Sequence, residues 1–243
     1  MTDYANMLLY VVCLNFWRYK VFNNKKVIIW DLDNTLYRIT PEFADRLDLA
    51  MAEALVLDLG VNMSVEECKA LVKESYKIYR DGGEYFYQNH NISPKDLFKY
   101  YFDRKPVYLI EPYKNLAEKI KSIPFEQYVF TASNRLASEK ILKHIGLYEI
   151  FKDRFYSVED FGVYKKNENS LVYKQYCEKI GYKPEECIFI DDSYSNLEFA
   201  KEIGLTTVRI FYKDNSAKDK TYIDTAYKGV EACVDDLINC KKA

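Results

Sequence analysis

Two pairs of carboxylates stand out by type and spacing. Asp31 and Asp33 are separated by one residue, and Asp191 and Asp192 are adjacent. Each pair follows an apolar run: Val27-Ile28-Ile29-Trp30 before the first, Cys187-Ile188-Phe189-Ile190 before the second. Such a run reads as a strand buried on both faces. Positions two apart on an extended backbone share a face, so Asp31 and Asp33 are expected side by side at a strand's carboxyl end. Like charges this close repel, and burial strengthens the repulsion. A divalent cation removes the conflict, and Mg²⁺, a hard ion, prefers oxygen ligands. The plain alternative for the first pair is a solvated strand end carrying two unrelated acids. For the second pair, two unpaired acids ending a buried strand are costly without a cation. If that strand continues, Asp191 and Asp192 alternate sides, so one is expected to meet the metal directly and the other through water.

Two further stretches could serve an anion. Gln127-Tyr128-Val129-Phe130-Thr131 reads as a buried strand ending in a hydroxyl, and Ala132-Ser133-Asn134 leads from it into a helix. A strand feeding a helix N-terminus presents backbone N–H groups to an anion. Taken alone, Thr131 would be an ordinary helix cap. Downstream, Asp160-Phe161-Gly162-Val163-Tyr164 precedes Lys165 and Lys166. Taken alone, the two lysines read as a solvated surface pair.

Regular elements must carry these residues. Residues 38–110 read as helical. Thr40-Pro41 opens a helix that Gly60 stops, Ser64-Val65-Glu66-Glu67 is a capping box, and Ser93-Pro94 opens another helix. From Pro112 the chain alternates helix and strand, through Leu171–Ile180, Cys187–Ile190, Thr206–Phe211 and a last helix over Val230–Ile238. This alternation predicts an α/β fold, a doubly wound parallel sheet whose ligands bind at the carboxyl ends of the strands. The expected division is an extension over 1–26, an α/β core over 27–37 and 111–243, and a small inserted helical domain over 38–110. The aromatics Tyr85, Phe86, Tyr87 and Phe102 of that insertion could stack on a base or a sugar, and the favoured expectation is that they form the core of the insertion or its interface with the α/β core.

In this order, the four stretches resemble the motifs of the haloacid dehalogenase (HAD) superfamily. Asp31-Leu32-Asp33-Asn34-Thr35 matches its first motif, Asp-x-Asp-x-Thr, at every position. The resemblance implies a Rossmann-like core with a helical cap, Asp31 as nucleophile and Asp33 as general acid/base. It implies Thr131 as a phosphoryl-binding hydroxyl, with Ala132, where relatives often carry Asn, offering its backbone amide. It implies a motif lysine, which is Lys165 counted forward from the Gly162 loop and Lys166 counted back from the next helix; the forward count, Lys165, is adopted. Mg²⁺ would be held by Asp31, Asp33, Asp191 and Asp192, with Asp192 favoured for the direct bond. Dehalogenases of the superfamily lack the second acid and need no metal, so Asp33 points to a phosphatase acting on a small phosphorylated metabolite. The cap position, the chain length and Asp33-Asn34-Thr35-Leu36-Tyr37 resemble the pyrimidine 5'-nucleotidase branch. The alternatives are a sugar-phosphate or phosphoglycolate phosphatase, or an interaction protein of the same fold with little catalysis.

Bulk properties exclude other classes. Over 243 residues the hydrophobic content is 49%, enough for a real core. A formal net charge of -2 gives no reason to expect a nucleic-acid partner. The six cysteines form no Cys-x-x-Cys pair and the histidines are only His90 and His144, so no zinc site is expected. The apolar stretch Met7–Leu14 is too short to span a bilayer, which takes about 20 residues. Asp3 stands where a signal peptide would be basic. Reduced thiols and a cytoplasmic location are therefore expected.

Overall fold

The computed structural model describes residues 21–213 and 220–240. The apolar stretch Met7–Leu14 lies outside them, as do residues 214–219. The chain divides into two compact units. The first comprises the described residues of Met1–Leu36, Tyr113–Phe130 and Lys166–Ala243, the second Tyr37–Pro112 and Thr131–Lys165.

The first unit is built on parallel strands. β1 (Val27–Trp30) pairs with β2 (Glu126–Thr131) on one side and β4 (Cys187–Asp191) on the other. β4 continues to β5 (Thr206–Phe211), and β5 to β6 (Thr225–Lys228), every pair parallel. β1 and β4 are buried along their whole length, as continuous apolar runs require. Two polar side chains inside this core are satisfied by each other: Trp30 Nε1 donates to Gln127 Oε1 (3.0 Å), and Gln127 Nε2 donates to the Ile120 carbonyl (2.8 Å). Register then places the chemistry. Trp30 is abreast of Ile190, and the Asp31 amide donates to the Ile190 carbonyl at 2.8 Å. Asp31 therefore leaves the sheet level with Asp191.

The second unit holds most of the inserted helices. α1 (Pro41–Glu53) starts on Thr40, whose hydroxyl accepts from the Phe43 amide, with Pro41 in the first turn. It runs into one π-helical turn, Ala54–Asp58, before Gly60 turns the chain at φ +71°. α2 (Val65–Tyr79) begins in the expected capping box, in which the Ser64 and Glu67 side chains each accept from the other's backbone amide. Short helices α3 (Glu84–Asn89) and α4 (Pro94–Tyr101) follow, and the next helix, α5 (Leu116–Lys121), belongs to the first unit. Phe86, Leu97, Leu55 and Val72 form the core, with Tyr85 and Tyr87 packed against it. Of the four aromatics named above, Tyr85, Phe86 and Tyr87 lie in or against this cluster.

The contact units cut the chain differently from the boundaries read in the sequence. The segment 131–165 groups with the helical insertion because α6 (Arg135–His144) packs on the short turns Phe102–Arg104 and Val107–Leu109. His144 Nε2 lies 2.8 Å from the Ile110 carbonyl and fastens the same join. β3 (Phe155–Ser157) also belongs to this unit.

Gly83 marks the tightest point of the bundle. A Cβ there would collide with the Tyr87 hydroxyl and come within 2.8 Å of Leu97 Cδ2. Both neighbours are held by the core, so Gly83→Ala should overpack it and cost about 1–3 kcal/mol. Urea unfolding followed by tryptophan-independent far-UV circular dichroism checks this; an unchanged midpoint would show that Tyr87 yields without strain.

Candidate active site

Three acids converge in the first unit. One carboxylate oxygen from each of Asp31, Asp191 and Asp192 lies within 4.8 Å of the others. Asp31 and Asp191 are buried and Asp192 half-buried. They come from two neighbouring parallel strands, so the fixed register sets their spacing.

Local hydrogen bonds hold each acid. Asp191 accepts from Asn196 Nδ2 at 3.2 and 3.0 Å on its two oxygens and from the Ser193 amide at 2.8 Å. Asp192 Oδ2 accepts from Asn34 Nδ2 at 2.6 Å. Asn34 itself sits at φ 57°, a conformation Asn tolerates better than most residues, and this turn sends its amide back to the acids. Neither amide was assigned a role in the sequence. Only the fold shows that both face acids.

A buried lysine completes the cluster. Lys166 is 2% exposed; its Nζ donates to Asp31 Oδ1 (2.5 Å) and Asp191 Oδ2 (2.7 Å) and to the Phe130 carbonyl (3.3 Å). The ammonium also stands 5.3 Å from the Phe189 ring and 5.6 Å from the Phe130 ring. Burial pulls the ammonium's pKa down, but Asp191 and Asp31 outweigh it, and Lys166 is held above the ordinary lysine value, fully charged.

The lysine beside Asp31 is therefore Lys166, and the choice of Lys165 is corrected. Lys165 Nζ pairs with Asp81 (2.6 Å) and Glu84 (2.8 Å) in the second unit and lies over the Tyr87 ring. The forward count failed because the chain uses Val163–Lys165 to leave the Gly162 turn, whose φ of 72° redirects it. Adjacent lysines thus serve different units.

The remaining residues fall as follows. Asp33 contributes no oxygen to the three-acid group, although its charge acts on both Asp31 and Asp192. Thr131 ends β2 in the second unit, where its hydroxyl oxygen accepts from the Ser133 amide at 3.0 Å. Asn134 caps α6, its Oδ1 accepting from the Ala137 amide at 2.8 Å. Ala132 lies between them, half-buried.

The donor set fits a hard divalent cation. All three side chains offer oxygen, and three carboxylates against one ammonium leave two negative charges unmet. Burial first, then Asp191, Asp192 and Asp33, push Asp31 well above the usual carboxylate range despite Lys166. Burial and Asp191 likewise push Asp192 up to about 7, against the Asn34 bond and Lys166. A second positive charge among these oxygens reverses that push.

The chain that builds this site matches a known family. The haloacid dehalogenase-like hydrolase family matches residues 25–204, which include all of these acids and lysines. The chain belongs to that hydrolase family. Among solved structures it is similar to the L-2-haloacid dehalogenase of Xanthobacter autotrophicus, with 13% identity over 89% of this chain and 100% of that one, at a TM-score of 0.58. It is similar to a haloacid dehalogenase-like family hydrolase of Streptococcus pneumoniae, with 18% identity over 87% and 98%, at a TM-score of 0.57. It is also similar to a HAD family hydrolase of Deinococcus radiodurans R1 with bound phosphate and sodium, with 14% identity over 88% and 97%, at a TM-score of 0.53. At these identities the likeness is one of fold, and it supports the doubly wound α/β reading. Among the described residues no helix is long and apolar enough to cross a membrane.

Two measurements test the electrostatics. Lys166→Met leaves buried acids without their cation and should cost about 3–5 kcal/mol of stability in metal-free buffer at pH 8. A urea midpoint equal to wild type would show that the lysine is not holding them. The second concerns pH. The folded chain keeps the Asp192 proton up to about pH 7, whereas the unfolded chain releases it near roughly pH 4. The folded state therefore binds more protons in this window, and the metal-free protein should lose stability as pH rises through it. Asp192→Asn should flatten that decline, and Mg²⁺ should offset it in wild type.

Proposed function

We propose that this protein is a Mg²⁺-dependent phosphatase of small phosphomonoesters, acting through an aspartyl-phosphate. The observation that carries the reading is the buried Lys166 bound to Asp31 beside two further acids. Lys166 holds Asp31 Oδ1, which orients the second oxygen as the attacking atom. That oxygen forms a bond to phosphorus while the bond to the ester oxygen breaks. Asp33 gives its proton to the departing alcohol, then takes one from the water that cleaves the aspartyl-phosphate. Lys166 places positive charge where the phosphoryl oxygens gather negative charge. We assign Thr131, through its hydroxyl, and Ala132, through its amide, to those same oxygens.

Asp31, Asp192 and, in support, Asp33 would hold the metal, with Asp192 making the direct bond. Asp191 is the poorer candidate for that bond because both its oxygens are already engaged by Lys166, Ser193 and Asn196. When bound, Mg²⁺ would supply charge neutralisation at the phosphoryl oxygens. The presence of Asp33 and of a third and fourth acid favours phosphoryl transfer over dehalogenation.

Within this class we propose a pyrimidine nucleoside 5'-monophosphate as substrate, on the resemblance of Asp33-Asn34-Thr35-Leu36-Tyr37 and the placement of the cap. Sugar phosphates and phosphoglycolate are the alternatives. A phosphate-release screen over these three groups, with Mg²⁺ and with EDTA, is the direct test. Activity confined to sugar phosphates would retire the nucleotidase reading, and activity indifferent to EDTA would retire the metal. Asp31→Asn should lower kcat by about 10⁴-fold or more while circular dichroism stays unchanged. Normal turnover in that variant would end the mechanism.

A further inference from the structure

Lys105 lies on the segment that leads out of the helical insertion, outside every motif discussed so far. Its Nζ donates to Ser133 Oγ at 2.6 Å, within the second unit. Ser133 is two residues past Thr131, in the turn between β2 and α6, and is 1% exposed.

That turn is unusually well fixed. The Ser133 carbonyl accepts from Ser157 Oγ at 2.6 Å and from Ser138 Oγ at 3.3 Å. The Ser133 amide donates to Thr131 Oγ1, and Asn134 closes the helix cap. A charged group bonded to so rigid a turn has a defined position. The lysine stem is steadied in turn, its ammonium 5.3 Å from the centre of the Phe102 ring. A hydroxyl that accepts from an ammonium is also polarised as a donor. The result is a positive charge, half-buried and so weakly screened, anchored on the loop to which we assign the phosphoryl oxygens.

We propose that Lys105 is a second phosphate-binding cation, recognising the dianionic phosphate of the substrate and of the inorganic product. This rests on the phosphatase reading of the Thr131–Asn134 loop. It assigns Lys105 to binding and Lys166 to the chemical step, so the two cations should separate in the kinetics. A lysine that only fastened the chain segment to the loop would move stability and leave phosphate affinity alone.

The experiment compares wild type, Lys105→Gln, Lys105→Arg and Ser133→Ala, using an aryl phosphate as substrate and inorganic phosphate as inhibitor, both with Mg²⁺. Lys105→Gln should raise KM and the phosphate inhibition constant together by about tenfold, as loss of one charge-assisted contact implies. Its kcat should stay within about threefold of wild type, and Lys105→Arg should recover most of the affinity. Ser133→Ala keeps the ammonium but loosens it, and should give a smaller rise in the same two constants. Binding of inorganic phosphate, followed by calorimetry on the Mg²⁺-loaded full chain, gives a readout that does not depend on turnover. Unchanged KM and phosphate affinity in folded Lys105→Gln, with wild type active, overturn this proposal alone. A wild-type chain that neither hydrolyses the ester nor binds phosphate overturns it together with the phosphatase reading.

Discussion

One buried ammonium governs the centre of this protein. Lys166 reaches two carboxylates on adjacent strands and a backbone carbonyl on a third. Without it, Asp31 and Asp191 would face each other while buried, where mutual repulsion is large and solvation weak. The strands could still pair, but their carboxyl ends would carry an unrelieved charge. The lysine lets apolar strands end in acids and remain packed. Its neighbours follow from the same need: the Phe130 and Phe189 rings line its path, the Asn196 amide spans both Asp191 oxygens and shares Oδ2 with the lysine, and the Asn34 amide holds Asp192.

The parallel sheet is what makes this economy of residues possible. Asp31 and Asp191 are 160 positions apart, yet the pairing of Trp30 with Ile190 puts them level. Parallel strands all end at one edge, so acids placed last in two neighbouring strands must meet. The hydrogen-bond ladder supplies the coarse placement and side-chain amides the fine one. Stability and site geometry are therefore not separate properties here: β1 and β4 are the most deeply buried strands and also the ones that carry the acids.

Much of this was legible in the sequence, for a physical reason. Continuous apolar runs ending in acids leave few interpretations, so β1, β4 and their acids could be read directly. Cap boxes at Ser64 and the Ser93-Pro94 start were equally plain, because capping uses local contacts. What escaped reading was non-local or too short. β3 has three residues and β6 four, lengths at which no alternation shows. Asn34 looks like an ordinary turn residue until β4 brings Asp192 beside it, and Asn196 looks like an ordinary helix residue until the turn after Asp191 folds it back onto that acid. Lys165 and Lys166 are chemically identical, and spacing along the chain cannot say which one the Gly162 turn points inward. Only the direction of the backbone decides that, and it sends Lys165 to Asp81 and Glu84.

The double attachment of Lys166 has a consequence for inheritance. In many enzymes the activity can be lost by one substitution while the fold is passed on intact. Here a lineage that lost the lysine alone would inherit two stranded acids and a weakened domain. A descendant that kept this architecture for a non-enzymatic purpose would have to shed the cation and its partner carboxylates together, so silent relatives of this chain should differ from it by matched sets of changes at these positions.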